Sequence, residues 1–108
     1  MGKYQIIWRT KARLLYIRHL SYAYQEFGAK AFYGWIDSIR EMEERLQKYP
    51  RAYMKVPELS DMFDEYRGHT VMRNFKVIYT VDDKRQKIKI ITIWDMRMHP
   101  DKLTKSIR

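Results

Sequence analysis

The chain has no cysteine in its 108 residues. A disulfide framework, a thiolate nucleophile and a cysteine-ligated zinc or iron-sulfur site are therefore excluded, and redox chemistry does not fix the compartment. Proline and glycine are scarce, at 3 and 4 residues, which argues against a low-complexity or collagen-like chain. Long apolar runs are missing too. The stretch Tyr4 to Trp8 is too short for a signal h-region or a membrane span, and Ile6 stands where a myristoylation motif needs Ser or Thr. The expectation is a cytoplasmic protein with no membrane attachment. Acidic residues are in deficit as well, 13 against 22 Lys and Arg, giving a net charge of +9. That field attracts polyanions and acidic protein segments and speeds encounter with them, but it does not specify a fold.

What is present is an ordered globule of one domain. The apolar share is 45% and the aromatic share 15%, and a chain of this length buries roughly two thirds of its unfolded surface in one core. Tyr4 to Trp8 is rich in β-branched and aromatic residues and reads as an opening strand. Thr10 is placed to cap a helix in which Ala12, Leu15, Tyr16, His19, Leu20, Ala23, Tyr24 and Phe27 recur every three or four residues up to Gly28. A second stripe, Phe32, Trp35, Ile36, Ile39, Met42, Leu46 and Tyr49, is closed by Pro50. Glu41/Arg45 and Glu44/Lys48 stand at i,i+4 on its polar face. The two helices are expected to form a hairpin.

Beyond Pro50 the periodicity fades, and Arg51 to Asp64 suits an irregular crossing with one helical turn near Pro57 to Phe63. Three strands are then predicted: His69 to Arg73, Phe75 to Val81 and Ile88 to Trp94, with Asn74 as a bend and Asp82 to Gln86 as a hairpin loop. Alternation puts Phe75, Val77, Tyr79 and Val81 on one face and Lys76, Ile78 and Thr80 on the other. Asp101 to Arg108 reads as a short, polar, mobile tail. The fold class is α+β: an N-terminal strand and an α-helical hairpin packed on a mostly antiparallel sheet.

Cationic residues on and beside these strands, Arg67, Arg73, Lys76 and Arg97 with His69 and His99, suit a polyanion such as an RNA backbone. Three histidines without matching spacing or carboxylate company make no metal site, and no cofactor motif is present. His19 lies on the apolar face of the first helix and reads as a core or boundary residue. The aromatic stripe of the hairpin reads as core packing.

The order of elements, the Leu46-x-x-x-Pro50 stop, Pro57-Glu58-Leu59, Asn74-Phe75-Lys76-Val77-Ile78-Tyr79-x-Val81-Asp82 and Arg97-x-His99-Pro100-x-x-Leu103 together resemble the RelE/ParE superfamily of type II toxins over nearly the whole chain. That resemblance implies a small basic toxin neutralised by an acidic cognate antitoxin in a hetero-oligomer, with no cofactor. RelE-like members cut messenger RNA on the ribosome without a metal; ParE-like members block DNA gyrase and cleave nothing. Under the nuclease branch, Lys76 would hold phosphate and Arg97 would stabilise developing negative charge. His69 or His99 would move the proton, and Arg67, Arg73 and Lys55 would contact the RNA. The terminal tyrosine of some members is replaced here by Pro100, and Leu103 offers no phenol. The basic strands put an endoribonuclease ahead of a gyrase inhibitor, with an inactive antitoxin-binding module as the third reading.

Overall fold

The computed structural model of the chain describes residues 3–107. Strand β1 (Gln5–Trp8) leads into helices α1 (Thr10–Phe27) and α2 (Ala29–Lys48). A short 3-10 turn at Pro57–Leu59 precedes β2 (Arg67–Val71), β3 (Phe75–Asp82), β4 (Lys87–Asp95) and a terminal helix α3 (Pro100–Ile107). The sheet order is β1-β4-β3-β2; β1 runs parallel to β4 and the remaining pairs are antiparallel. The expected α+β class and helical hairpin are therefore present.

The hairpin covers one face of the sheet. Trp35, Ile39, Met42 and Leu46, spaced three and four apart on α2, pack with Ala12 and Ala23 of α1 against Val71, Val77, Tyr79, Ile88, Ile90 and Ile93. Gly28 joins the helices at φ 88°, ψ −171°, a region that side chains with a Cβ avoid. Nothing lies within 4 Å of where its Cβ would sit, so any cost of substitution comes from the backbone alone. Gly28→Ala is expected to lower stability by about 1–3 kcal/mol in urea melts; an unchanged midpoint would contradict it.

A second core fills the opposite face, built from Val56, Leu59, Ile78, Ile91, Trp94, Leu103 and Ile107. A β-bulge makes it possible. Ile78 pairs with Thr92 but Tyr79 pairs with Ile90, leaving Ile91 as the extra residue that turns to the second face. Burial on both faces explains why β4 reads as a nearly unbroken apolar run rather than an alternating one.

Several expectations need correction. Thr10 is the first helical residue, and the capping position is Arg9, with no side-chain cap. The strand predicted from His69 to Arg73 instead runs Arg67–Val71, because Met72 and Arg73 adopt positive φ of 48° and 72° to turn the chain. Neither Glu41/Arg45 nor Glu44/Lys48 closes to an ion pair within 4.0 Å among the described residues.

The predicted mobile tail is α3, docked by buried Leu103 and Ile107; its last residue, Arg108, lies outside the described residues. His99 precedes Pro100 at the first helical position, and the Asp101 N–H donates to His99 Nδ1 at 3.2 Å. At the other end Arg9 donates to the Ile107 carbonyl (2.9 Å) and Lys11 to that of Ser106 (2.8 Å). Those two cations satisfy carbonyls that the helix itself leaves open.

Candidate functional site

The sequence-predicted site residues fall in three places. The β2–β3 register sets the division: Arg67 lies opposite Tyr79 and His69 opposite Val77, whereas Thr70 lies opposite Lys76. Arg67 and His69 thus share the hairpin face with Tyr79, and Lys76 points to the other side of the sheet.

On the hairpin face, α2 and the edge strand β2 flank an open cleft of about 720 Å³ lined by Glu41, Arg45, Lys48, Tyr49, Tyr53 and His69. Tyr53 stacks on the His69 ring with centroids 4.0 Å apart and meets Tyr79 edge to face at 6.4 Å. Burial, reinforced by the Arg45 cation, holds His69 below the usual imidazole range. Burial also pushes the Tyr79 phenol up to about 12, against a lowering contact from the Tyr53 backbone, and no fully formed hydrogen bond to its hydroxyl is found among the described residues. Arg67 beside the cleft is only 15% exposed, and its fork is occupied: Nε and Nη2 bind Glu65 Oε1 at 2.9 and 2.7 Å, and Nη1 donates to the Tyr53 carbonyl at 2.8 Å. Lys55, bridged to Arg67 across the backbone, leans toward the same Glu65 at 3.9 Å.

On the opposite face, Lys76 lies across Gly68. A Cβ at Gly68 would come within 2.7 Å of Lys76 Cδ, so the glycine makes room for the lysine stem. The partners of Lys76 on this face are Thr70 and Trp94, and neither is cationic.

The third place is the end of the sheet where β2 turns into β3 and β4 finishes. Arg97 grips Asp95 with both arms, Nε to Oδ1 at 2.9 Å and Nη2 to Oδ2 at 2.8 Å. The same guanidinium holds the Asp95 carboxyl below the usual carboxylate range. Its central carbon stands 5.6 Å from the Phe75 ring centroid. Phe75 in turn packs against His19 and Trp35, so Arg97 belongs to the hairpin side. Arg73 is exposed in the adjoining turn. His99, with its side chain 71% exposed, serves the start of α3. No group of His, Asp and Glu suited to a metal is found among the described residues.

His69 and Arg67 are therefore neighbours, Arg73 and Arg97 share one end, and Lys76 is separated from both groups by the sheet. Sequence reasoning missed Tyr53 and Arg45, which complete the cleft, and the carboxylates Glu65 and Asp95, which occupy the arginine forks. Each of these acids sits two residues from its arginine, and that spacing was the available signal.

Both half-buried imidazoles carry a pH consequence. His19, stacked on Trp35 at 5.2 Å and desolvated, is held below its ordinary value like His69. Each binds a proton less readily in the folded chain, so the unfolded chain takes up more protons once pH falls below about 6.5. Their contribution to stability is complete above that pH and is lost on acidification. The urea midpoint is expected to fall between about pH 7.5 and pH 5.5, and a His19→Gln/His69→Gln double variant should flatten the fall. Equal slopes in both chains would refute it. Asp95 and Asp83, whose carboxyls are lowered, add their losses only in the more acidic carboxylate range.

No family model matches the chain, and no curated protein matches it. Solved structures do. One chain of the chromosomal ParDE TA system from P. aeruginosa superposes with a TM-score of 0.65 at 19% identity, covering 86% of this chain and 96% of that one. The isolated E. coli RelE toxin gives a TM-score of 0.59 at 13% identity over 97% and 99% of the two chains. The toxin-antitoxin complex RelBE2 from Mycobacterium tuberculosis gives 0.53 at 16% identity over 86% and 98%. The architecture is that of a small α+β domain. Its fold is the RelE/ParE fold.

Proposed function

We propose that the chain is the toxin of a type II toxin–antitoxin system and that it acts by gripping a protein target, DNA gyrase being the target the resemblance suggests, rather than by cutting RNA. The observation that carries this reading is the partition of the basic residues. Lys76 lies on one face of the sheet and Arg67, His69 and Arg97 on the other, with the Arg67 and Arg97 forks already engaged by Glu65 and Asp95. Phosphoryl transfer needs donors converging on one small set of oxygens, positioned to within a fraction of an ångström. Contact with a protein surface makes no such demand.

The antitoxin part of the proposal draws support from the solved structures described as a TA system and a toxin-antitoxin complex, and from a net charge of +9 that an acidic partner would offset. An acidic protein encoded beside this chain should co-purify with it. Endoribonuclease activity is the second reading. It is favoured by Arg73, Lys76 and Arg97 lying at the same end of the sheet, where an RNA strand crossing its rim would meet all three.

Growth on induction separates the two. The Lys76→Ala variant is expected to arrest a bacterial culture as fully as the unchanged chain, because Lys76 lies on the sheet face opposite the hairpin, away from the protein contact. Loss of arrest in a variant that still folds would favour the nuclease reading.

A further inference from the structure

The tip of the helical hairpin exposes aromatic rings that a free-standing domain has no reason to leave in water. Phe27 is 71% exposed and Tyr22 58%, and their rings meet at 6.2 Å; a second cluster at the tip joins the exposed Tyr24 and Tyr33 through the half-buried Phe32. Contiguous exposed apolar surface of this kind marks an interaction site more often than scattered single residues do. Beneath the rings is a cavity of about 230 Å³ between the hairpin tip and the end of the sheet, lined by Tyr22, Phe27, Ala31, Met72, Phe75 and Arg97 among others. Arg73, between Met72 and the cavity-lining Asn74, stands at the rim, exposed and without an ion pair among the described residues.

We propose that this hairpin-tip cavity is the anchor pocket of a protein-docking surface, taking one apolar side chain from an acidic segment of the target whose carboxylate pairs with Arg73. The inference rests on the reading that the chain works through a protein partner. Two features favour protein over nucleic acid. The deeper rings already stack on one another: His19 lies parallel to Trp35 at 5.2 Å and 3°, and both pack on Phe75. The recess is lined largely by apolar side chains, Ala23, Phe27, Ala31, Trp35, Met72 and Phe75, which suits an aliphatic side chain rather than a sugar-phosphate. The Arg97 fork is held by Asp95, while Arg73, Lys30 and Arg18, each next in sequence to a cavity-lining residue, are exposed and make no ion pair among the described residues, so they offer countercharge to an acidic segment. Aromatic rings and arginines around a recess are the usual composition of a binding hot spot.

The test is site-specific photo-crosslinking in growing bacteria, with p-benzoylphenylalanine placed at Tyr22 or Phe27, and at Phe63 as a control that is fully exposed on a separate segment. Adducts are mapped by mass spectrometry. The expected result is a protein adduct from positions 22 and 27, absent from 63, mapping to an acidic segment with an apolar residue at the attachment point. Arg73→Glu, a surface change, should reduce its yield roughly tenfold, the equivalent of about 1.4 kcal/mol. Ala31→Trp, which fills the cavity, should abolish it. Adducts no stronger than at position 63, adducts to nucleic acid or to a basic segment, or yields indifferent to both variants would overturn the inference. Growth arrest in the same cultures keeps the two ideas apart: arrest without the adduct defeats the docking surface alone, and the adduct without arrest defeats the toxin reading alone.

Discussion

Leu103→Ala is expected to cost about 2–5 kcal/mol, the range for deleting a fully buried leucine side chain. Leu103 is wholly buried against the second core with Ile78, Ile91 and Trp94, and α3 has only one other buried residue, Ile107, to hold it. An eight-residue helix does not persist in water on its own. Removing its main anchor should therefore free the whole element and expose Trp94, and the capping contacts from Arg9 and Lys11 would go with it. Urea unfolding followed by tryptophan fluorescence reads both effects. A mobile polar tail would give no change in midpoint, so this one substitution decides between a docked helix and a tail.

Trp35→Ala should be at least as damaging, about 3–5 kcal/mol, which is a large part of the ~5–15 kcal/mol that holds a domain of this size together. Trp35 is the first of the buried residues along α2's inner face and packs with Tyr16, His19 and Phe75. Its loss uncouples both helices from the rim of the sheet at once. It also removes the ring that shields His19, so the His19 imidazole should move back toward its ordinary value, observable by NMR titration of its ring protons. Phe63→Ala, at a fully exposed position, serves as the contrast and should leave the midpoint in place. Equal, small effects from the two substitutions would contradict the assigned core.

The elements legible in the sequence were those whose periodicity is long and whose punctuation is strong. Helices α1 and α2 carry apolar residues every three or four positions and are separated by Gly28. Strand β3 alternates cleanly enough to put Lys76 and Tyr79 on opposite faces. Helix α3 was not legible because Leu103 and Ile107 form a single i,i+4 pair, too little to declare a face, and its docking depends on a second core that only the folded sheet creates. The division of the basic residues was half legible. Arg67 and His69 are two apart and so share a face, but which face depends on the pairing of Arg67 with Tyr79. That register is fixed by the Met72-Arg73 turn, whose positive φ values occur at residues that carry no glycine-like signal. The cleft beside His69 depends on Tyr53, in a segment without periodicity, and the hairpin-tip patch could not be told from core packing because exposure is decided in three dimensions.

The most direct measurement is mapping of new 5′ ends on translated messages after the unchanged chain is induced in a bacterial host. Growth arrest without new ends inside codons is the expected result, in keeping with basic residues divided between two faces of the sheet and with a toxin that works by contact. New ends within codons that vanish in the Lys76→Ala/Arg97→Ala variant would contradict it and return those two residues to the chemistry of RNA cleavage.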